Sequence, residues 1–184
     1  MYAFRSLLDR TTSSLFDGFF LYMSKFLMFR ESQKEIDEFV QGDFFLYAGK
    51  LPTLEALTYE INRAVSLAPN ALPHEASEDT SLANFFIPKG SIVIPNAETC
   101  HKDPKYWKHP NLFQLITFWM KRGSRRQCLG ESLAKMELFL IIGAILQNFQ
   151  ILEPDGQNVS LQPVDITNIL NMAPKFEVIL KNRN

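Results

Sequence analysis

Cysteine is scarce in this chain of 184 residues. Cys100 and Cys128 are the only two, too few for a disulfide framework, so a reducing compartment is the expected setting. Long hydrophobic runs are lacking as well. The most apolar early stretch, Phe19 to Met23 and Phe26 to Phe29, is interrupted by Lys25 and preceded by Asp17. It falls short of a bilayer-spanning segment, so no transmembrane anchor is expected and the chain alone reads as soluble or cytoplasmic. Neither charge sign is in excess. With 19 basic and 20 acidic residues the net charge is -1, which removes the general electrostatic reason to expect nucleic acid or an anionic membrane surface as a partner. Internal repeats and low-complexity linkers are also missing. What is present, 46% apolar and 12% aromatic residues, suits one globular domain with a substantial core.

Hydrophobic periodicity organises most of the chain. From Thr11 to Val40 apolar residues recur at helical spacing in two blocks, predicting two helices, with Glu31, Lys34, Glu35, Asp37 and Glu38 on the wet face of the second. A third helix opens at Lys50-Leu51-Pro52, where proline is tolerated, and carries Leu54, Leu57, Ile61 and Val65 as one apolar stripe. Pro88-Lys89-Gly90 between Phe85-Phe86-Ile87 and Ser91-Ile92-Val93-Ile94 predicts a short hairpin, preceded by a loop at Asp79, Thr80 and Ser81. Leu133 to Phe149 predicts a long helix, apolar on most faces, of the kind buried inside a larger body. Alternation at Phe176, Val178 and Leu180 predicts a closing strand of a small antiparallel pair.

The chemistry-bearing residues centre on Arg126-Gln127-Cys128-Leu129-Gly130-Glu131, which runs directly into that long helix. The first turn of a helix leaves backbone N-H groups unpaired and carries the positive end of the macrodipole. A sulfur there is biased toward its anionic, ligating form, so Cys128 sits where a metal-bound thiolate would. Gly130 keeps the approach open for something large and flat. A lone cysteine at an element boundary is more commonly a small buried hydrophobe, and the surrounding segments decide between the two. Glu60 and Arg63 stand one turn apart on one helix face; Leu72-Pro73-His74-Glu75, Phe86-Ile87-Pro88-Lys89-Gly90 and His101-Lys102-Asp103-Pro104-Lys105-Tyr106-Trp107 follow in order.

Taken with Leu133-Ala134-x-Met136-Glu137-Leu138-Phe139-Leu140, this ordered set resembles the cytochrome P-450 family of haem-thiolate monooxygenases, in particular its microsomal drug-metabolising branch in animals, over nearly the whole chain. The resemblance implies the C-terminal part of the cytochrome P-450 fold: α+β, mainly helical, with small antiparallel β hairpins. Residues 1–184 would form a single incomplete domain. It implies haem b as cofactor with its iron ligated by Cys128, insertion of one oxygen atom into an apolar small-molecule substrate, and electrons from an NADPH-dependent flavoprotein reductase at the cytosolic face of the endoplasmic reticulum membrane. Family members of this branch carry a transmembrane helix and a large helical half ahead of the region matched.

Individual roles follow from the same resemblance. Arg126 and His74 would partner the haem carboxylates; a guanidinium that grips both oxygens suits that task. The other reading of Arg126 is a solvated member of the basic run Lys121, Arg122, Arg125, Arg126, meeting water or nucleic acid, and that of His74 is an ordinary polar residue beside a proline. Glu60 and Arg63 would be a buried ion pair, joined in the family by a second arginine from a downstream segment. Here that segment reads Phe113-Gln114-Leu115-Ile116-Thr117-Phe118, without one. Ser124 stands where the family has glycine, and Lys121 where it has phenylalanine. Asp9-Arg10-Thr11-Thr12-Ser13 resembles the end of the distal helix, with Ser6-Leu7-Leu8 replacing its small residues. Thr11 or Thr12 would be the hydroxyl that relays a proton, or else a helix cap. The alternative to an enzyme is a truncated, non-catalytic relative that serves as an interaction module or folds poorly.

Overall fold

The computed structural model describes residues 2–25, 29–42, 44–47, 49–114, 130–156, 160–162 and 170–183, with the side chains of 13 onward in the first of these segments and all but 45 and 46 in the third. Helices dominate, accompanied by three two-stranded antiparallel sheets, in agreement with the mainly helical α+β expectation. The helices are α1 (Tyr2–Lys25), α2 (Phe29–Phe39), α3 (Pro52–Val65), α4 (Ala97–Lys102) and α5 (Glu131–Asn148); a single 3-10 turn spans Phe44–Tyr47. The strands are β1 (His74–Glu75), β2 (Thr80–Leu82), β3 (Phe85–Ile87), β4 (Ile92–Val93), β5 (Phe149–Leu152) and β6 (Ile179–Asn182). No helix among the described residues is long and apolar enough to cross a membrane.

The core lies where α1, α2, α3 and α5 meet. Leu15, Phe19 and Met23 recur every fourth residue of α1 and are buried, as are Leu54, Leu57 and Ile61 of α3 and Leu138, Ile142 and Leu146 of α5, the spacing that puts one stripe of each helix inward. The other faces of α5 are different: Leu133, Met136 and Ile141 are exposed. Phe44 stacks on Phe139 with ring centroids 5.2 Å apart and reaches the helix at Gly143.

Three sequence expectations need correction. Strand β3 does not pair across Pro88-Lys89-Gly90. It pairs with β2, Thr80 opposite Ile87 and Leu82 opposite Phe85, so Thr80 and Ser81, expected as loop, lie in a strand, and Asp79 stays outside it. Ala83 and Asn84, both at positive φ (48° and 69°), close that hairpin, as two-residue turns with strand-matching twist require. Strand β4 pairs instead with β1, His74 opposite Val93. The turn after Pro88 exists one residue later than expected, with Ser91 N donating to Pro88 O at 3.1 Å and Gly90 at φ 82° in third place. Secondly, α1 begins at Tyr2 and continues to Lys25, so Thr11 and Thr12 lie in its interior. They neither end the helix nor cap it. Thirdly, Glu35 is not on a wet face: it is buried, and its carboxylate accepts from Thr53 N at 2.9 Å and Leu54 N at 3.0 Å.

That last contact explains how α3 starts. Leu51 stands at the cap position with no side-chain acceptor and Pro52 follows, so a neighbouring helix supplies the acceptor that the orphan amides need and a negative charge at the positive end of the dipole. The long helix α5 forms as expected, and the closing pair forms with Ile151 opposite Leu180, but its last strand begins only at Ile179, so Phe176 and Val178 precede it. Short helix α4, unforeseen, is capped by Asn96, whose Oδ1 accepts from Thr99 N at 2.9 Å.

Gly143 offers a direct test of the packing. A Cβ built there would lie 1.9 Å from Phe44 Cζ, a clash that better helix propensity, worth about 0.5–1 kcal/mol, offsets only in part. Gly143→Ala should destabilise the protein by about 1–3 kcal/mol. The shift is read from the urea midpoint at unchanged slope, and adding Phe44→Leu should restore part of the loss.

Candidate functional site

A buried polar cluster is built on α3. Glu60 and Arg63 are three residues apart, and their side chains are 0% and 5% exposed. The guanidinium meets the carboxylate bidentately: Nε donates to Glu60 Oε2 at 2.8 Å and Nη2 to Oε1 at 2.7 Å. The remaining hydrogens go to main-chain carbonyls. Nη1 donates to His101 O at 3.0 Å and Pro110 O at 2.8 Å, and Nη2 to Leu112 O at 3.1 Å. Five N-H donors find five acceptors, the full inventory of an arginine. Glu60 Oε1 also accepts from Gln114 N at 2.9 Å. Gln114 belongs to the segment that lacks the second arginine, so a backbone amide supplies a further donor to the carboxylate. Trp107 covers the guanidinium, its ring centroid 5.1 Å from Cζ.

Around this pair stand residues that sequence reasoning missed. Ser66 terminates α3 in a left-handed conformation at φ 44°. Its hydroxyl donates to Arg63 O at 3.0 Å and lies 2.7 Å from His101 Nδ1. Asn171 fastens the late segment to the same helix end: its amide nitrogen donates to Leu67 O at 2.8 Å and Nδ2 to Ser66 O at 3.0 Å. Burial and the neighbouring Arg63 charge hold the His101 imidazole below its ordinary range, with Glu98 opposing. The segment containing His101 and Trp107 was visible as a motif, but its sequence carries no sign that it wraps Arg63. Burial also raises the Tyr22 hydroxyl, with Arg63 lowering it and Glu60 raising it; Tyr22 stacks against Phe113 at 5.1 Å.

The expected cofactor residues are placed unevenly. Cys128 and Arg126 lie outside the described residues. Gly130 is described and stands at the N-cap of α5, with φ -88°, ψ 0° and its carbonyl accepting from Ala134 N at 2.9 Å; no side chain caps the helix. His74 is exposed on β1, and its side chain has no hydrogen-bond partner among the described residues. Thr11 and Thr12 are on α1, their side chains outside the described residues. Of the whole expected set, the structure brings together Glu60 and Arg63.

Comparison with known proteins gives this arrangement its context. The family model described as Cytochrome P450 matches residues 8–180. The chain belongs to the cytochrome P450 family. Cytochrome P450 2L1 of Panulirus argus is 35% identical over 190 residues, covering 94% of this chain and 39% of that protein. Cytochrome P450 2U1 of Bos taurus is 35% identical over 194 residues, 95% of this chain and 35% of the relative. Steroid 21-hydroxylase of Sus scrofa is 36% identical over 143 residues, 73% and 29% respectively. The chain thus spans well under half the length of these relatives.

The family implies haem, and of the residues expected to hold it only Gly130 and His74 are among those described. Helix α5 opens three positions after Cys128, with Gly130 at its N-cap and Glu131 in its first turn, and the positive end of a helix dipole favours an anionic group. The His74 side chain is exposed on β1, and an imidazole can donate to a carboxylate.

Arg63 yields a stability prediction. Arg63→Ala leaves the Glu60 carboxylate buried and short of its main partner, and should cost about 3–5 kcal/mol in urea unfolding. Arg63→Lys should rescue little, since an ammonium replaces five fixed donors with three on one atom. Replacing both residues by apolar ones of similar volume should recover much of the loss.

Proposed function

We propose that this chain is the haem-proximal, carboxy-terminal portion of a haem-thiolate monooxygenase, with residues 1–184 forming one incomplete domain. The observation that carries the proposal is the family match across residues 8–180 together with a long apolar helix opening, uncapped, just after Cys128. Haem held by a thiolate supplies dioxygen activation and transfer of one oxygen atom to an apolar organic substrate.

The chain's own residues do the rest. Cys128 is the ligand, kept anionic by the start of α5, and the apolar body of that helix limits water near the sulfur. Arg126 and His74 neutralise the two acidic arms of the ring, and Gly130 leaves room beside them. Glu60 and Arg63 hold the scaffold: their bonds fix the 101–114 segment against α3. Thr11 or Thr12, inside α1, supplies the hydroxyl that passes a proton on the oxygen side. Electrons come from an NADPH-dependent flavoprotein reductase at the cytosolic face of the endoplasmic reticulum membrane, and the substrate is an apolar small molecule.

A second reading, a non-catalytic relative that keeps the fold, is favoured by Ser124 and Lys121 in the loop before the cysteine and by the missing second arginine. The two readings part on haem addition. Reconstituted, reduced and exposed to carbon monoxide, the full chain should show a thiolate-type Soret band that Cys128→Ala abolishes. No such band in either protein, together with a melting temperature that haem does not raise, overturns the enzymatic reading, because a ligand of the native state must stabilise it.

A further inference from the structure

His101 and Arg63 hold each other twice, in opposite senses. The Arg63 side chain donates to the His101 main-chain carbonyl at 3.0 Å. The His101 side chain reaches back through Ser66, whose hydroxyl donates to the Arg63 main-chain carbonyl at 3.0 Å while Oγ lies 2.7 Å from Nδ1. A hydroxyl has one hydrogen. With that hydrogen on Arg63 O, the imidazole Nδ1-H donates to Oγ, and the neutral ring completes the circuit. The same segment is fastened by Arg63 at Pro110 O and Leu112 O, and α4 is tied to the loop after α3 by Glu98 N donating to Pro69 O at 3.0 Å.

We propose that His101 is an acid-released latch that holds residues 97–114 against α3, opening when the imidazole gains a proton. A second cation in the half-buried space beside Arg63 would face a guanidinium whose five hydrogens are committed and whose one neutralising carboxylate, Glu60, is already engaged by it and by Gln114 N. Among the described residues, the other ionisable groups bearing on the cluster are few. Glu98 on α4 favours the imidazolium but is paired with Lys102. Tyr22 of α1 approaches from the Glu60 and Arg63 side as a neutral hydroxyl. Within this set only Glu98 opposes the new charge, and burial and Arg63 outweigh it.

The sign of the effect is fixed. Burial and Arg63 lower the folded-state affinity of His101 for a proton, so the unfolded chain binds that proton first on acidification. The latch's contribution is present in full above the ordinary histidine value of about 6.5 and is lost as pH falls from there through the folded-state value.

Trp107 reports on the latch, because it covers Arg63 and its indole N-H donates to Cys100 O at 2.8 Å. In the full chain carrying Trp119→Phe, Trp107 emission should shift in a one-proton step with a midpoint below 6.5. The His101 ring signal in NMR should titrate at the same midpoint. His101→Gln, which keeps a polar contact to Ser66 without the titration, should abolish the step. A step that survives in His101→Gln, or a His101 titration that leaves Trp107 emission flat, overturns the proposal. Should the variant fail to fold, agreement or disagreement of the two midpoints in the His101 protein decides it alone.

Discussion

A guanidinium withdrawn from water must find acceptors for five hydrogens, and Arg63 takes them from four places in the chain: the Glu60 carboxylate and the carbonyls of His101, Pro110 and Leu112. Those places span about fifty residues of sequence, so one side chain dictates the path of a segment with little regular structure of its own. The Coulomb attraction between Glu60 and Arg63 alone would not hold such a pair in the interior, since desolvation can exceed it. Complete hydrogen bonding is what makes the burial tolerable, and each carbonyl recruited in that way is a loop residue positioned. The pair therefore acts as an anchor for the 101–114 path as much as an electrostatic contact.

The same logic recurs at several helix ends, which take partners from distant elements. Glu35 of α2 accepts from the first amides of α3. Gln33, two residues earlier, donates to Leu146 O at 3.2 Å and Phe149 O at 3.0 Å, where α5 gives way to β5. Asn171 closes the end of α3, and Arg183 reaches Leu146 O and Asp37. Orphan groups at a helix terminus need partners. When those partners come from distant elements, losing one element uncaps another, which favours cooperative unfolding over piecemeal fraying.

This explains what could and could not be read from the residues in order. Helices α2, α3 and α5 follow from 3.6-residue periodicity because Leu54, Leu57 and Ile61, or Leu138, Ile142 and Leu146, obey it. Glu35 defeats that reading: it occupies a polar position by residue type and a buried one by contact, and nothing local marks the acceptor that α3 needs. The strand pairing was missed for a related reason. Pro88-Lys89-Gly90 is the stronger local turn signal, yet the hairpin closes at Ala83-Asn84, where alanine takes an uncommon positive φ because pairing of Leu82 with Phe85 decides the turn. For the site, motif order was enough to indicate the family, and the spacing of Glu60 and Arg63 was enough to put them on one face. Their acceptors at His101, Pro110 and Leu112 were hidden, because backbone carbonyls leave no trace in residue type.

The polar and apolar halves of the described site stand in contrasting states. Every donor of Arg63 is met within the chain, whereas α5 leaves Leu133, Met136 and Ile141 in solvent. A helix apolar on nearly all sides belongs in an interior, and at about 25 cal/mol per Å² its exposed side chains represent stabilisation that further burial would supply. Curated relatives are more than twice as long as the stretch matched here, ample to cover such a face in a complete family member. A flat apolar ring seated near the start of α5 would add burial at the same helix, so in the proposed reading the cofactor stabilises the fold as well as supplying the chemistry. The ion-pair anchor and the cofactor then have separable roles: the first fixes the path of the loop, and the second completes the core.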